Sequence, residues 1–145
     1  MSTTTFLFPD VNVWLALAHE IHPHHNVATV WGESLQGDTV LAFCRFTQLG
    51  LLRLLTNQSA MGADVLTQAK AWVVYDAFLK TARARLIEEP QGIDALFRQQ
   101  TNRNEASTKH WADGYLAAFA MAAGIRLVTF DRALATSAKT AILLG

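Results

Sequence analysis

The chain has 145 residues, 51% of them hydrophobic and 17% charged, which excludes a disordered polymer and fits one folded domain over residues 1–145. Twelve basic residues balance twelve acidic ones, so any contact with nucleic acid must come from a local basic rim and not from overall charge. No apolar run approaches the ~20 residues of a membrane span, the N-terminus lacks a signal peptide's basic start and clean apolar stretch, and the single cysteine, Cys44, can form no internal disulfide. These features predict a soluble cytoplasmic protein with no membrane contact, and the apolar excess predicts a surface covered by a partner.

Residues 5–9 read as a short buried strand running into Asp10, with Pro9 tolerable only at a strand end. Val11, Val13, Trp14, Leu15, Leu17 and Ala18 predict a first helix, interrupted at His22-Pro23. A second helix follows from about His24 to Leu35, then a turn at Gly37-Asp38 and a strand over 39–42. Residues 44–56 predict a helix apolar nearly all round and buried on more than one face, despite Gly50 in its middle. Asn57-Gln58-Ser59 ends it, and 64–80 predicts another helix with Val65, Ala69, Trp72 and Val73 on its apolar stripe. A strand at 85–87, a helix over 92–100 and a polar loop over 101–109 come next, with Ser107 and Thr108 available as caps. The helix from Lys109 to Ala123 stops at Gly124, a strand over 125–130 ends at Asp131, and 142–144 reads as a last strand. Strands alternating with helices predict an α/β layer fold around a mostly parallel sheet.

Two aspartates, Asp10 and Asp131, stand directly after predicted strands, where an open parallel sheet forms its ligand crevice. Asp113 lies near the start of the helix that leads through Gly124 into the Asp131 strand. The tight connection makes that helix antiparallel to the strand, so its N-terminal end lies over the strand's carboxyl end. Ala117 and Ala120, on the same face as Asp113, let the helix approach the sheet closely. Three carboxylates so gathered repel one another unless a cation intervenes. Oxygen-only ligands suit Mg²⁺ or Mn²⁺ and not Zn²⁺, and such an ion can activate water against a phosphodiester. Taken singly, Asp10 and Asp131 read better as cap or turn residues and Asp113 as a first-turn helix acid; only the three together bring the site reading level.

The stretches Pro9-Asp10-Val11-Asn12-Val13-Trp14-Leu15-Ala16-Leu17 and His22-Pro23-His24-His25 resemble the opening of PIN-domain ribonucleases of the VapC toxin type. Trp111-Ala112-Asp113-Gly114-Tyr115-Leu116-Ala117-Ala118-Phe119-Ala120, followed by Gly124-Ile125-Arg126-Leu127-Val128-Thr129-Phe130-Asp131, resembles their closing signature. The segment from Phe46 to Asn57 is similar to the middle block of one VapC branch. The resemblance implies a three-layer PIN-like sandwich and a magnesium-dependent endoribonuclease, cutting RNA such as a transfer RNA. It implies catalytic Asp10, Asp113 and Asp131, with metal on Asp10 and Asp113 and support from Asn12 and Thr129. It also implies a homodimer and a cognate antitoxin protein. Two departures stand out. Gly50 occupies the position of a Glu common in PIN domains, and Arg132, Ala133 and Leu134 follow Asp131 where another acid is common. The site is acid-poor by family standards, which favours one metal ion over two, with Glu33 and Asp94 as candidate substitutes.

Two other functions compete. A catalytically weak or inactive PIN-fold binding protein draws on Gly50. A phosphoacceptor domain would need paired acids after the first strand and a late Lys, where this chain has only Asp10 and Arg132. Four histidines between His19 and His25 invite zinc, but tetrahedral ligand spacing is missing, and His22-Pro23-His24-His25 reads as a turn and helix start. Cys44 reads as a buried structural thiol. Lys109 and Arg103 are better RNA-contact candidates than Arg45, Arg53 or Arg132. Trp14, Trp31, Trp72 and Trp111 read most simply as core or interface residues, with base stacking open only to one left exposed.

Overall fold

Strand β1 (Thr5–Pro9) lies at the middle of the sheet and hydrogen-bonds to partners from both halves of the chain. The computed structural model describes residues 4–145. β2 (Thr39–Phe43) and β3 (Ala84–Leu86) extend the sheet on one side of β1, and β4 (Arg126–Thr129) and β5 (Ile142–Leu143) on the other, in the order β3-β2-β1-β4-β5. Every pairing is parallel, with Leu7 beside Leu41 and Phe8 beside Leu127. Parallel strands are joined by helices that cover both faces. Among the described residues these helices are α1 (Val11–Ala18), α2 (His25–Glu33), α3 (Arg45–Leu55), α4 (Gln58–Met61), α5 (Gln68–Lys80), α6 (Ile93–Thr101), α7 (Lys109–Ala123) and α8 (Arg132–Ser137).

Period-two alternation along the strands divides the core in two. Leu7, Leu41, Phe43 and Val128 face α1, α3 and α5, where Trp14 stacks on Phe43 with ring centroids 3.7 Å apart. Phe8, Ala42 and Leu127 face the other way, onto α7 and α8, and Phe8 stacks on Phe119 at 4.8 Å. Ala117, Ala118 and Ala120 of α7 are buried in this second core, and their small side chains let the helix sit close on the sheet. The three-layer α/β/α sandwich with a parallel sheet is therefore as expected. No described helix is long and apolar enough to cross a membrane.

Four local expectations need correction. Helix α5 begins at Gln68, after a 3-10 turn over Gly62–Asp64, and buries Ala71 and Tyr75. The expected stripe of Val65, Ala69, Trp72 and Val73 is the outer one, and Val73 is 67% exposed. Apolar residues occupy both sides of this helix, so periodicity could not choose between them. Helix α3 buries one face, Thr47, Gln48, Leu51 and Leu55, while Leu49 is exposed. Asn57 does more than end α3, because its side chain accepts from the Ala60 N–H and starts α4. Helix α8 has no counterpart among the predicted elements; it begins at once after Asp131, whose carboxylate caps it.

Candidate active site

Asp10 follows β1 with its backbone still extended, and its N–H donates to the Val128 carbonyl at 2.9 Å, continuing the ladder to β4. Its carboxylate then caps α1. Oδ1 accepts from the Val13 N–H at 3.1 Å, and Oδ2 accepts from the Thr129 hydroxyl at 2.5 Å. Thr129, the last residue of β4, is fully buried, and its hydroxyl oxygen also accepts from the Asp131 N–H at 2.9 Å. One threonine thus ties together two acids that stand at the ends of adjacent strands. Asp131 caps α8 by accepting from the N–H groups of Ala133 (2.9 Å) and Leu134 (3.2 Å). The simple reading of Asp10 and Asp131 as caps is correct as far as it goes, but capping leaves each with an oxygen turned elsewhere.

Asp113 comes from α7, beyond the helix's first turn, which holds no acid. A first-turn dipole role for it is therefore ruled out by position. Lys109, one turn earlier, places its ammonium 3.0 Å from Asp131 Oδ2 and 3.9 Å from Asp113 Oδ2. The loop before α7 contributes less than expected to its start. Thr108 makes no side-chain cap, and the Ser107 hydroxyl accepts from the His110 N–H at 3.4 Å.

Electrostatics follow from this packing. Burial pushes the Asp10 carboxyl above its ordinary pKa, the bonds from Thr129 and Val13 oppose that rise, and the charges of Asp131 and Asp113 add to it. Asp113 is also raised, by burial first, with Lys109 opposing and Asp131 reinforcing. Asp131 is lowered, chiefly because Lys109 donates to it. Asp10, Asp113 and Asp131 therefore feel one another across the carboxyl ends of β1 and β4, where two of them resist ionisation. A positive charge relieves such an arrangement, and Lys109 already brings one between two of the acids.

The donors are carboxylate oxygens, the chemistry that suits a hard divalent ion. Among the described residues, no three His, Cys, Asp or Glu side chains close into a cage for a metal ion. Asp131 is engaged by Lys109 and two backbone amides, Asp10 by the Val13 N–H and the Thr129 hydroxyl, and Asp113 is the least committed, with Lys109 3.9 Å away; each carboxylate oxygen keeps a second lone pair. That fits an ion held by one or two carboxylates and several waters.

The remaining expected residues lie as follows. Asn12 is exposed in the first turn of α1. Gly50, on α3, packs against α1 so tightly that a Cβ there would meet Val11 Cγ2 at 2.6 Å, so Val11 fills the space in which an acid at position 50 would begin. Asp94 pairs with Arg98 at 2.8 Å on the exposed face of α6, and Glu33 ends α2. Cys44 is buried, and burial raises its thiol pKa. His19, just after α1, pairs with Asp64 of the 3-10 turn at 3.0 Å, and the His25 ring of α2 bonds the Ala16 carbonyl of α1 at 2.6 Å. Lys109 is the site residue whose place among the acids sequence reasoning missed. Its i,i+4 spacing from Asp113 was the available signal.

Known proteins share this arrangement of elements. The PIN-domain family model matches residues 7–139. The chain is 44% identical over 131 residues to ribonuclease VapC41 of Mycobacterium tuberculosis, covering 88% of this chain and 90% of that protein. It is 30% identical over 135 residues to ribonuclease VapC39 of the same organism, covering 92% and 94%. Among solved structures, VapC20 of Mycobacterium tuberculosis, described as a sarcin–ricin loop cleaving toxin, superposes with a TM-score of 0.66 at 17% identity, over 90% of this chain and 94% of that one. VapBC2 from Rickettsia felis, bound to a promoter DNA fragment, gives 0.67 at 14% identity over 96% and 97%. The parallel sheet, the acids at its carboxyl edge and the extent of these matches lead to one assignment: the chain belongs to the PIN-domain family.

Proposed function

We propose that the chain is a divalent-metal-dependent endoribonuclease, the toxin of a toxin–antitoxin pair, acting in the cytoplasm on RNA. The observation that supports this reading is the chain of contacts at one sheet edge, in which Thr129 bridges Asp10 and Asp131 and Lys109 reaches both Asp131 and Asp113. Kinship with two ribonucleases at 44% and 30% identity supports the same chemistry. Structural likeness to VapBC2 supports an antitoxin as partner, as do exposed apolar side chains such as Val30, Leu49 and Val73. A homodimer is part of the proposal.

Asp10 and Asp113 would hold Mg²⁺, or Mn²⁺, with water filling the other positions. When bound, the ion supplies an activated water and neutralises charge at the scissile phosphate. The chain's own groups prepare for this. Thr129 fixes Oδ2 of Asp10 and, through the Asp131 N–H, the distance between the two strand ends. Lys109, anchored on Asp131, offers a fixed positive charge to a phosphate oxygen of the substrate. Asn12, at the rim, would help hold water near the ion. The closely packed Gly50 leaves the site without a further acid, which favours a single ion.

That same poverty of acids supports a second reading, a PIN-fold protein that binds RNA and cuts it weakly or not at all. One experiment separates the two. The purified chain is incubated with total RNA and Mg²⁺ or Mn²⁺, beside Asp10→Asn and Asp113→Asn. Discrete products from the wild type alone, with circular dichroism unchanged in the variants, are expected. Equal cutting by all three proteins, or none by the wild type, would overturn the nuclease reading.

A further inference from the structure

A cavity of about 750 Å³ opens between α6, α7 and the loop that joins them. Phe97 and Arg98 of α6, Asn102 and Arg103 of the loop, and His110 and Trp111 of α7 line it. The volume falls within the range of small-molecule sites. Trp111 forms one wall and is 59% exposed. Its ring lies 6.1 Å from that of Phe97 at 57°, so the two aromatics meet at an angle and do not cover each other. An indole this open adds little to the core and costs solubility.

The cavity shares the start of α7 with the acid cluster, although Lys109 and Asp113 do not line it. His110 and Trp111 directly follow Lys109 and precede Asp113 by less than a turn. Arg103 lies 3.4 Å from His110, and His110 stands three residues before Asp113, on the same side of α7. A strand whose phosphate lies at Asp113 and Lys109 and that passes over His110 and Arg103 brings a nearby nucleotide to this cavity.

The lining also limits what can enter. Arg98 is paired with Asp94, and Arg103 and His110 share Glu105, with His110 Nδ1 3.1 Å from its carboxylate and Arg103 3.4 Å. The charges are matched within the wall, so the site is no phosphate trap. It offers an aromatic face beside alternating donors and acceptors, the complement of a flat heterocycle with hydrogen-bonding edges. Another exposed tryptophan, Trp72, borders a cavity of about 250 Å³ lined by residues such as Leu49, Leu52 and Ala71, on α3 and α5. That space is a third of the size, and neither α7 nor any acid lines it.

We propose that the cavity between α6 and α7 is a nucleobase subsite, in which an unpaired base of the RNA strand beside the scissile phosphate stacks on Trp111. This rests on the nuclease reading for its substrate class. The base must be free of a duplex to reach the indole, so the subsite selects single-stranded segments or loops.

The test uses the full chain carrying Asp10→Asn, which keeps RNA intact, and a short unstructured RNA with a fluorescent end label. Affinity is read by anisotropy, at low and at raised salt. Trp111→Leu is expected to weaken binding roughly tenfold, within the range that loss of one base–aromatic stack produces. Trp111→Phe should restore most of it, and Trp72→Leu should change nothing. Because stacking is not ionic, the affinity ratio between the Trp111→Leu protein and its parent should persist at raised salt. In the otherwise wild-type chain, Trp111→Leu should lower kcat/KM by a similar factor. Equal RNA affinity for Trp111→Leu and Trp72→Leu overturns the subsite. The two readings fail differently. Wild-type cutting that ignores Trp111→Leu removes the subsite alone, whereas Trp111-dependent binding by a chain that never cuts removes the nuclease alone.

Discussion

Replacing Thr129 by Val keeps the shape of a fully buried side chain and deletes one hydroxyl. That hydroxyl donates to Asp10 Oδ2 and accepts from the Asp131 N–H. A hydrogen bond to a charged carboxylate contributes about 1.5–3 kcal/mol, and Asp10 is itself buried, so water cannot readily replace the donor. The Asp131 N–H lies nearer solvent and adds little. The new methyl recovers about 0.5 kcal/mol of apolar burial. We expect a net loss of about 2 kcal/mol at neutral pH, measured by urea unfolding. The loss depends on charge and so on pH. Asp10 has a folded pKa above its unfolded one, so the native state holds this proton more tightly. Stability therefore falls as pH rises from the unfolded value through the folded value, and is level beyond it. Thr129 works against that fall by favouring the ionised form. The cost of Thr129→Val should then be greatest above the raised Asp10 pKa and shrink as pH falls through it. In an Asp10→Asn background the cost should drop to about 1 kcal/mol, that of a neutral hydrogen bond. A loss below about 0.5 kcal/mol in the wild-type background, or one that ignores both pH and Asp10→Asn, would refute this account of how the two strand ends are joined.

Two further outcomes follow from the same packing. Gly50→Ala should destabilise by about 1 kcal/mol in denaturant unfolding, because crowding against Val11 costs about 1–3 kcal/mol while better helix propensity returns about 1; Val11→Ala should make the same change neutral or favourable, and additivity of the two would be the contrary result. Lys109→Met should raise the Asp131 pKa towards its ordinary value, seen by carboxyl NMR titration. Because a depressed carboxyl pKa stabilises the fold only above the unfolded value and is lost as pH falls through the folded one, the melting curves of Lys109→Met and wild type should converge in acid.

Strand ends were the most legible part of this chain. Parallel strands covered on both faces read as apolar runs, and a carboxylate directly after such a run has few places to go, so Asp10 and Asp131 could be set at one edge from the residues alone. Asp113 followed from the short connection at Gly124, whose left-handed backbone (φ 67°) lets α7 stop and β4 begin at once. Lys109 was legible as a basic neighbour but not as the cation among the acids, because its contact with Asp131 spans 22 residues and depends on which way a flexible side chain turns. The stripe of α5 misled because apolar residues lie on both sides of that helix, and only Ala71 and Tyr75 meet the core. Helix α8 has six residues, too few to show a period. Gly50 could be set against a family glutamate by alignment, but the crowding that a side chain there would meet comes from Val11, a residue distant in sequence.

The hydroxyl that joins Asp10 to its partner strand comes 119 residues later in the chain. A ribosome making this protein therefore exposes the first acid long before β4 exists to receive it. Until that strand slots in beside β1, the growing polypeptide has no partner for the Asp10 carboxylate, and the proposed site is unassembled for nearly the whole of synthesis.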